Sequence, residues 1–361
     1  MSAAALENPM PTPLLQKVVI ESAGSYDKLT LRSEPAPEPG RGEVRIAVMA
    51  TGVNYADVVV RMGLYSSAKE YVGWPITPGF EVAGVIDAVG EGVDDLAIGD
   101  EVIGVTLFGG YTSHIVLGRP YVARKPAGID FAEAAAVPAV FMTAYYALFE
   151  LAHPRPGQVV LVHSAAGGVG GSLVQLLKII GCEVVGVVGA SHKVEAAKKF
   201  GADHVIDKST QDLWAEAERY APDGYDLVLD ANGVSTLKDS YTHLRKAGKL
   251  VVYGFASMMS KDKGRPNWAR IAVAWMRTPR FSPFEMVQNS HSVLAFNLSY
   301  LFDRVDLLHE CLAAIEGWLE SGEIVPPPVS KYALKDVAQA HRDIESGQTI
   351  GKLVLIPDHT S

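Results

Sequence analysis

Between Val159 and Gly181 the chain reads VVLVHSAAGGVGGSLVQLLKIIG. Its centre, Ala165-Ala166-Gly167-Gly168-Val169-Gly170, carries almost no side chain, so main-chain N–H groups are what it can offer a ligand. Glycines in such a turn let it close tightly, let backbone approach a bound group and let helix pack on strand; Ala165 stands in the first glycine slot of G-x-G-x-x-G. Unpaired N–H groups at a helix start bind anions, so the chemistry to expect is the holding of a dinucleotide pyrophosphate. A small-residue turn that only packs tightly is the plain alternative, and the flanks speak against it. Val159-Val160-Leu161-Val162 is a continuous apolar run, as in a strand buried on both faces of a parallel sheet. Leu173, Leu176, Leu177 and Ile180 then recur at helical spacing.

The end of the next strand bears on which dinucleotide is held. A chain selecting NAD places Asp or Glu about 20 residues beyond the glycines, on the ribose 2′-hydroxyl. In CEVVGVVGASHKVEAAKK the strand ends at Val188-Gly189-Ala190 with no carboxylate in reach, and Ser191, His192 and Lys193 follow. A hydroxyl and an ammonium suit a 2′-phosphate, which selects NADPH.

Bulk composition narrows the partners. At 361 residues the chain is long enough for two domains with their own cores. It is 48% hydrophobic and 20% charged, which excludes wholesale disorder. A net charge of −9 disfavours nucleic acid, whose phosphates demand a basic face. Cys182 and Cys311 are the only cysteines, too few for a disulfide scaffold or a four-cysteine zinc site, and a reducing cytoplasm is the simplest home. The start, MSAAALENPMPTPLLQ, has no basic segment followed by an apolar core and reads as a tail over 1–16. The apolar stretch Ala134 to Phe149 is shorter than the roughly 20 residues a membrane span needs. It reads as a buried helix, with Asp130 and Glu133 in the positions of a capping box, and no transmembrane segment is expected.

These elements define an α/β chain. From Lys17 to about Val140 the text is short and strand-like, with turns at PAPEPGRGE and VGEGVDD, and predicts an antiparallel β-rich module. Strands Val159–Val162, Glu183–Val188, Asp226–Asp230 and Lys249–Tyr253 then alternate with helices at Val194–Phe200 and Leu237–Arg245, the pattern of a doubly wound parallel sheet. A helix over Leu307–Leu319 and a strand over Gly351–Ile356 close the chain.

The segments ATGVNYADVVVRMGLY, TPGFEVAGVIDAVGEGV, GDEV, HSAAGGVG and GADHVID, in that order, resemble the medium-chain dehydrogenase/reductase superfamily. Within it they are most similar to the zinc-free quinone oxidoreductase branch and, through VVYGFASMMS and FNLSYL, to its vesicle amine transport protein relatives. The resemblance implies a GroES-like catalytic domain over 1–140, a Rossmann dinucleotide-binding domain over 141–300 and a C-terminal return to the catalytic domain over 301–361. Zinc-dependent relatives carry cysteine and histidine where this chain has Asn54 and Phe80; neither an amide nor a phenyl ring ligates zinc, and no metal is expected. The histidines His114, His153 and His163 are scattered and read as ordinary core or surface residues.

For the cofactor, NADPH, relatives place a lysine at Lys193 and a tyrosine at Lys208, so lysine here departs from the pattern; ordinary solvated lysines are the alternative for both. The resemblance further assigns Thr143, Asn232, Tyr253-Gly254-Phe255, Phe296-Asn297-Leu298 and Lys352 to the cofactor side, with Ala166 to Gly170 on the pyrophosphate. Asn54 and Tyr65 fall on the substrate side, Asn54 to orient and Tyr65 to donate to a carbonyl oxygen. Asn54 as a turn residue, Tyr65 as a half-buried ring with a wet hydroxyl, Asp57 as a loop-holding acid and Lys352 as a surface charge are the plain alternatives. The activity implied is metal-free, NADPH-dependent hydride transfer to a quinone or an α,β-unsaturated carbonyl compound, in a cytoplasmic homodimer. An enoyl reductase of a polyketide or lipid pathway is the alternative within the same chemistry. A non-catalytic NADPH-binding protein of vesicle or membrane surfaces is the alternative outside it. The segment from Ser257 to Ser292, rich in Met, Trp, Arg and Phe, is expected to wall or cover the cleft.

Overall fold

In the first domain alternate residues of one long strand, Val44, Ile46 and Val48, turn to a common core with Val82, Ile86, Val102 and Leu117. That strand, β1 (Glu43–Val53), pairs antiparallel with β2 (Glu81–Val89) and with His114–Gly118. The computed structural model describes residues 13–259 and 264–359. Leu14–Val19 forms a strand with Thr30–Pro35, so the expected tail gives way to sheet from Leu14; residues 1–12 lie outside the described residues. The main sheet runs Val329–Ala333, Lys352–Ile356, β1, β2, Glu101–Val105, Val122–Arg124. The C-terminal return therefore supplies two strands to the first domain.

Helix α1 (Tyr55–Arg61) follows β1 directly. The expected helix over 134–149 is instead broken. Asp130 and Glu133 cap a short helix, Phe131–Ala135, by reciprocal bonds of 2.8 and 2.9 Å. Pro138, which has no N–H to continue that helix, opens α2 (Pro138–Tyr145), and a π-helical turn, Tyr146–Ala152, completes the run.

The second domain is built on six parallel strands: β3 (Val159–His163), β4 (Glu183–Val188), β5 (His204–Asp207), β6 (Tyr225–Asp230), β7 (Leu244–Val252) and β8 (Ser292–Ala295). Their order is β5-β4-β3-β6-β7-β8, the doubly wound order whose direction reverses between β3 and β6. Between β3 and β4 lies α3 (Gly168–Ile180), which buries Leu173, Leu176 and Leu177. β7 begins at Leu244, earlier than expected, because the preceding helix stops at Thr242. The last elements used below are α4 (Val305–Ser321), α5 (Val337–Ser346) and β9 (Lys352–Ile356).

One buried polar chain joins the two ends of the sequence. Arg61, at the end of α1, is fully buried and donates to Glu345 of α5 at 2.7 Å, to the Gly264 carbonyl at 3.1 Å and to His341 Nδ1 at 3.0 Å. Burial, reinforced by Arg61, holds the His341 imidazole well below its usual range, so it is neutral. Accepting at Nδ1 leaves the proton on Nε2, which faces Tyr111 at 3.3 Å, and the Tyr111 hydroxyl in turn donates to Asp57 at 3.0 Å. Removing one partner of a buried pair strands the other charge and costs about 3–5 kcal/mol. Glu345→Ala is accordingly expected to lower stability by that amount in urea unfolding followed by tryptophan fluorescence. A loss below about 1 kcal/mol, the scale of an exposed pair, would contradict it.

Candidate active site

The glycine turn ends β3 and starts α3, with Gly167 at the helix N-cap and no side chain capping it. A Cβ on Gly170 would collide with the Ser164 carbonyl, so the turn closes onto itself only with glycine there. It lies at the carboxyl ends of β3 and β6, where the strand order reverses and ligands bind. Across this crevice the Ser164 hydroxyl meets Asn232 Oδ1 at 3.3 Å. Asp230, at the end of β6, accepts from the Asn232 and Gly233 amides and from the Thr236 and Ser240 hydroxyls at 2.7–3.0 Å, fixing the loop that carries Asn232. His163 is buried beneath it, 3.0 Å from Ser240; burial pushes its imidazole down to about 4 and keeps it neutral, an ordinary core residue.

Three buried polar atoms here have no protein partner: His163 Nδ1, Asn232 Nδ2 and the Tyr253 hydroxyl. A buried donor left unmade costs about 1–3 kcal/mol, which a bound polar ligand would recover. Gly254 and Phe255 pack on the same loop, the Ala256 amide donating to the Ala231 carbonyl at 3.2 Å. Phe296 places its ring 5.0 Å from Tyr146 and 6.4 Å from Tyr253. The glycine turn thus meets the Asn232 loop through Ser164, Gly254 and Phe255 pack on that loop, and Phe296 reaches Tyr253.

The second half of the site is a charged cluster in which the expected Asn54 and Lys352 meet Glu81, a residue not singled out from the sequence. Glu81, fully buried at the start of β2, accepts from Lys352 at 2.6 Å, from Asn54 Nδ2 at 3.0 Å and from the Ala139 amide at 2.7 Å. Lys352, 3% exposed, also donates to Asn54 Oδ1 at 2.5 Å, so the surface-charge alternative fails. Gly52 is required beside it because a Cβ there would collide with Glu81 Oε1. The Gly351 amide donates to the Ala166 carbonyl at 2.9 Å, which brings β9, and Lys352 with it, against the glycine turn. The signal that could have found Glu81 is an acid opening the otherwise apolar run EVAGVI.

Asn54 sits between β1 and α1, its main-chain N–H donating to Asp57 at 2.8 Å. Asp57 is wholly buried and accepts also from the Gly79 amide at 2.8 Å, so it holds the loop. Burial pushes its carboxyl up to about 7, against the pull of these donors.

A cleft of about 510 Å³, open at its mouth, is lined by Asn54, Tyr65, Phe80, Met142, Thr143 and Leu298, among others. The Thr143 hydroxyl donates back to the Ala139 carbonyl at 2.6 Å and keeps its acceptor lone pairs. The Tyr65 hydroxyl donates to Asn297 Oδ1 at 2.9 Å and lies 2.7 Å from the Ser299 hydroxyl. Because Asn297 Oδ1 can only accept, the phenolic proton points to it in this structure, and Tyr65 holds the 297–299 segment at the cleft wall. Among the described residues, the segment 257–292 contributes none to this lining; its helices leave Trp268, Trp275, Phe284 and Val287 exposed.

At the end of β4, Lys193 donates to the Gly347 carbonyl at 2.6 Å, and the Lys208 side chain runs beside Gly189. Ser191 lies at the same strand end. Asp207, at the end of β5, accepts the Ser191 hydroxyl at 2.5 Å and that of Ser209 at 2.6 Å, bonds that hold its carboxyl down to about 2. A carboxylate is therefore in reach from the third strand, and the Ser191 proton belongs to it; a phosphate would fall to the two lysines.

Residues 40–146 match the alcohol dehydrogenase GroES-like domain family and residues 200–355 the zinc-binding dehydrogenase family. The zinc of the latter name does not fit this site: Asn54 presents an amide already bound at both ends, Phe80 a ring, and Glu81 a carboxylate committed to Lys352. Among the described residues no three His, Cys, Asp or Glu side chains converge as metal ligands. The chain is 35% identical over 346 residues to the human synaptic vesicle membrane protein VAT-1 homolog, covering 95% of this chain and 87% of that one. The Escherichia coli quinone oxidoreductase complexed with NADPH superposes with a TM-score of 0.82 at 28% identity, over 95% of this chain and 100% of that one. The CurK enoyl reductase does so with 0.81 at 28%, over 95% and 99%. On this order of elements, this site and these likenesses, the chain belongs to the medium-chain dehydrogenase/reductase superfamily, among the relatives of VAT-1.

Proposed function

We propose that the protein is an NADPH-dependent reductase that transfers a hydride to quinones or α,β-unsaturated carbonyl compounds without a metal. The observation that carries this reading is the Asn54 amide, fixed at both ends by Lys352 and Glu81, at the wall of a cleft adjoining the glycine turn. The crevice fits a dinucleotide: a bare helix N-terminus for the pyrophosphate, unpartnered Asn232 and Tyr253 atoms beside it, and two lysines where a 2′-phosphate would lie. NADPH is also what the superposed Escherichia coli enzyme holds.

NADPH held by these residues would supply a hydride for the β-carbon of the substrate, so that negative charge develops on its carbonyl oxygen. Asn54 acts where that charge develops. Its Oδ1 is held by the Lys352 ammonium and one Nδ2 hydrogen by Glu81, which leaves the second amide hydrogen for the substrate oxygen. The ammonium behind the amide polarises it toward stronger donation. Tyr65 keeps Asn297 and Ser299 in place at the cleft wall, and burial holds its phenol protonated. Water provides the proton that completes the saturated product. The reading includes a homodimer formed through the open edge of β8 and a cytoplasmic setting suited to the two free thiols. Among the described residues no helix is long and apolar enough to cross a membrane.

Two tests address this reading. Asn54→Ala is expected to lower kcat with a 2-alkenal or a small quinone by about 10²–10³-fold, the effect of losing one oxyanion donor, while Tyr65→Phe lowers it far less. Equal losses in the two variants would contradict the division of roles. Lys193→Ala is expected to raise the NADPH Kd about tenfold or more, as for a lost charge-assisted hydrogen bond, and to leave the NADH Kd near wild type. An equal rise for both cofactors in a fluorescence titration would remove the 2′-phosphate assignment.

A further inference from the structure

Beside the cleft lies a second, half-open apolar recess between α2 and α4, walled by Tyr145, Leu301, Leu307, Leu308 and Cys311. Met142, Leu298 and Phe302 line both spaces, so one layer of side chains divides them. Two members of that layer are braced. Leu298 stands between Asn297 and Ser299, both bonded to the Tyr65 hydroxyl, and the Phe302 ring stacks on Tyr121 at 5.9 Å. Met142 is unbranched and turns about three bonds, which makes it the member that yields.

The second cavity offers almost nothing polar. The Tyr145 hydroxyl is turned to Glu310 at 2.9 Å, and burial pushes the Cys311 thiol far up, so it stays neutral. Arg304, an exposed residue, is the only charged side chain among those that line it. A space with apolar walls, separated from a polar-headed cleft by that one layer of side chains, matches a molecule with one polar end and one hydrocarbon end.

Building on the reductase reading of the cleft, we propose that the two cavities are a single bipartite substrate site. The carbonyl head lies at Asn54, and an unbranched apolar chain passes Met142 into the space between α2 and α4. The substrate class is then the α,β-unsaturated carbonyl compound bearing a chain of several methylenes, in preference to compact quinones and short enones.

The test uses unreactive ligands, so that it does not depend on turnover. Unbranched 2-alkanones from 2-butanone to 2-decanone are titrated calorimetrically into the NADP⁺-loaded protein. The Kd is expected to fall about fourfold per added methylene over several steps, the gain for burying a CH₂. In Leu307→Trp, which fills the second cavity, that dependence is expected to vanish; Leu301→Trp, on another wall, serves if the first variant does not fold. Affinity independent of chain length, or a slope that survives in the filled variants, would overturn the proposal. Turnover of 2-butenal with NADPH, measured alongside, reports on the reductase reading separately: a preserved chain-length slope with no turnover of any enone would remove the activity and leave the bipartite site standing.

Discussion

A lysine and a glutamate, buried at 3% and 0% exposure and 2.6 Å apart, hold the site together. Charges removed from water are costly unless paired and hydrogen-bonded, and here every strong partner is supplied from a different part of the chain. Glu81 comes from β2, Asn54 from the end of β1, the Ala139 amide from α2 and Lys352 from β9. The pair is thus poor evidence for stability as such and good evidence for specificity. It forms only when the C-terminal return, the first domain and the first turn of α2 meet correctly.

The same junction couples the two halves of the cleft. Gly351 bonds to the Ala166 carbonyl while its neighbour Lys352 bonds to Asn54 and Glu81, so a shift of the glycine turn is transmitted to the amide on the substrate side. In zinc-dependent dehydrogenases a metal ion supplies positive charge near a substrate oxygen. Here a fixed ammonium lies behind an amide, and in the proposed reaction the amide would present the hydrogen. Such an arrangement suits charge that builds on a carbonyl oxygen as a neighbouring double bond is reduced.

Much of this was legible in the residues. The glycine turn between an apolar run and an amphipathic one placed β3, the crevice and α3, because backbone chemistry leaves few other uses for such a stretch. Asp130 and Glu133 signalled a capping box that is present. What local patterns could not carry were pairings between distant segments. Glu81 and Lys352 are 271 residues apart, by subtraction of their numbers, and neither has a local signal of its pairing. Tyr65 reads as a donor, and its acceptor Asn297 is brought from the second domain. Ser191 likewise donates to Asp207 from a neighbouring strand. The helix over 134–149 failed for a local reason, since Pro138 interrupts the hydrogen-bond ladder.

The central claim is that hydride passes from a bound dinucleotide to a carbon conjugated with a carbonyl held at Asn54. Its most direct measurement follows deuterium from NADPH labelled on the transferred position of the nicotinamide C4 into the product of a 2-alkenal. The account predicts one deuterium at the β-carbon of the saturated aldehyde, with the α-carbon labelled only when the reaction is run in heavy water. Deuterium that stays on the dinucleotide throughout, with no saturated product from any 2-alkenal or quinone supplied, would contradict it.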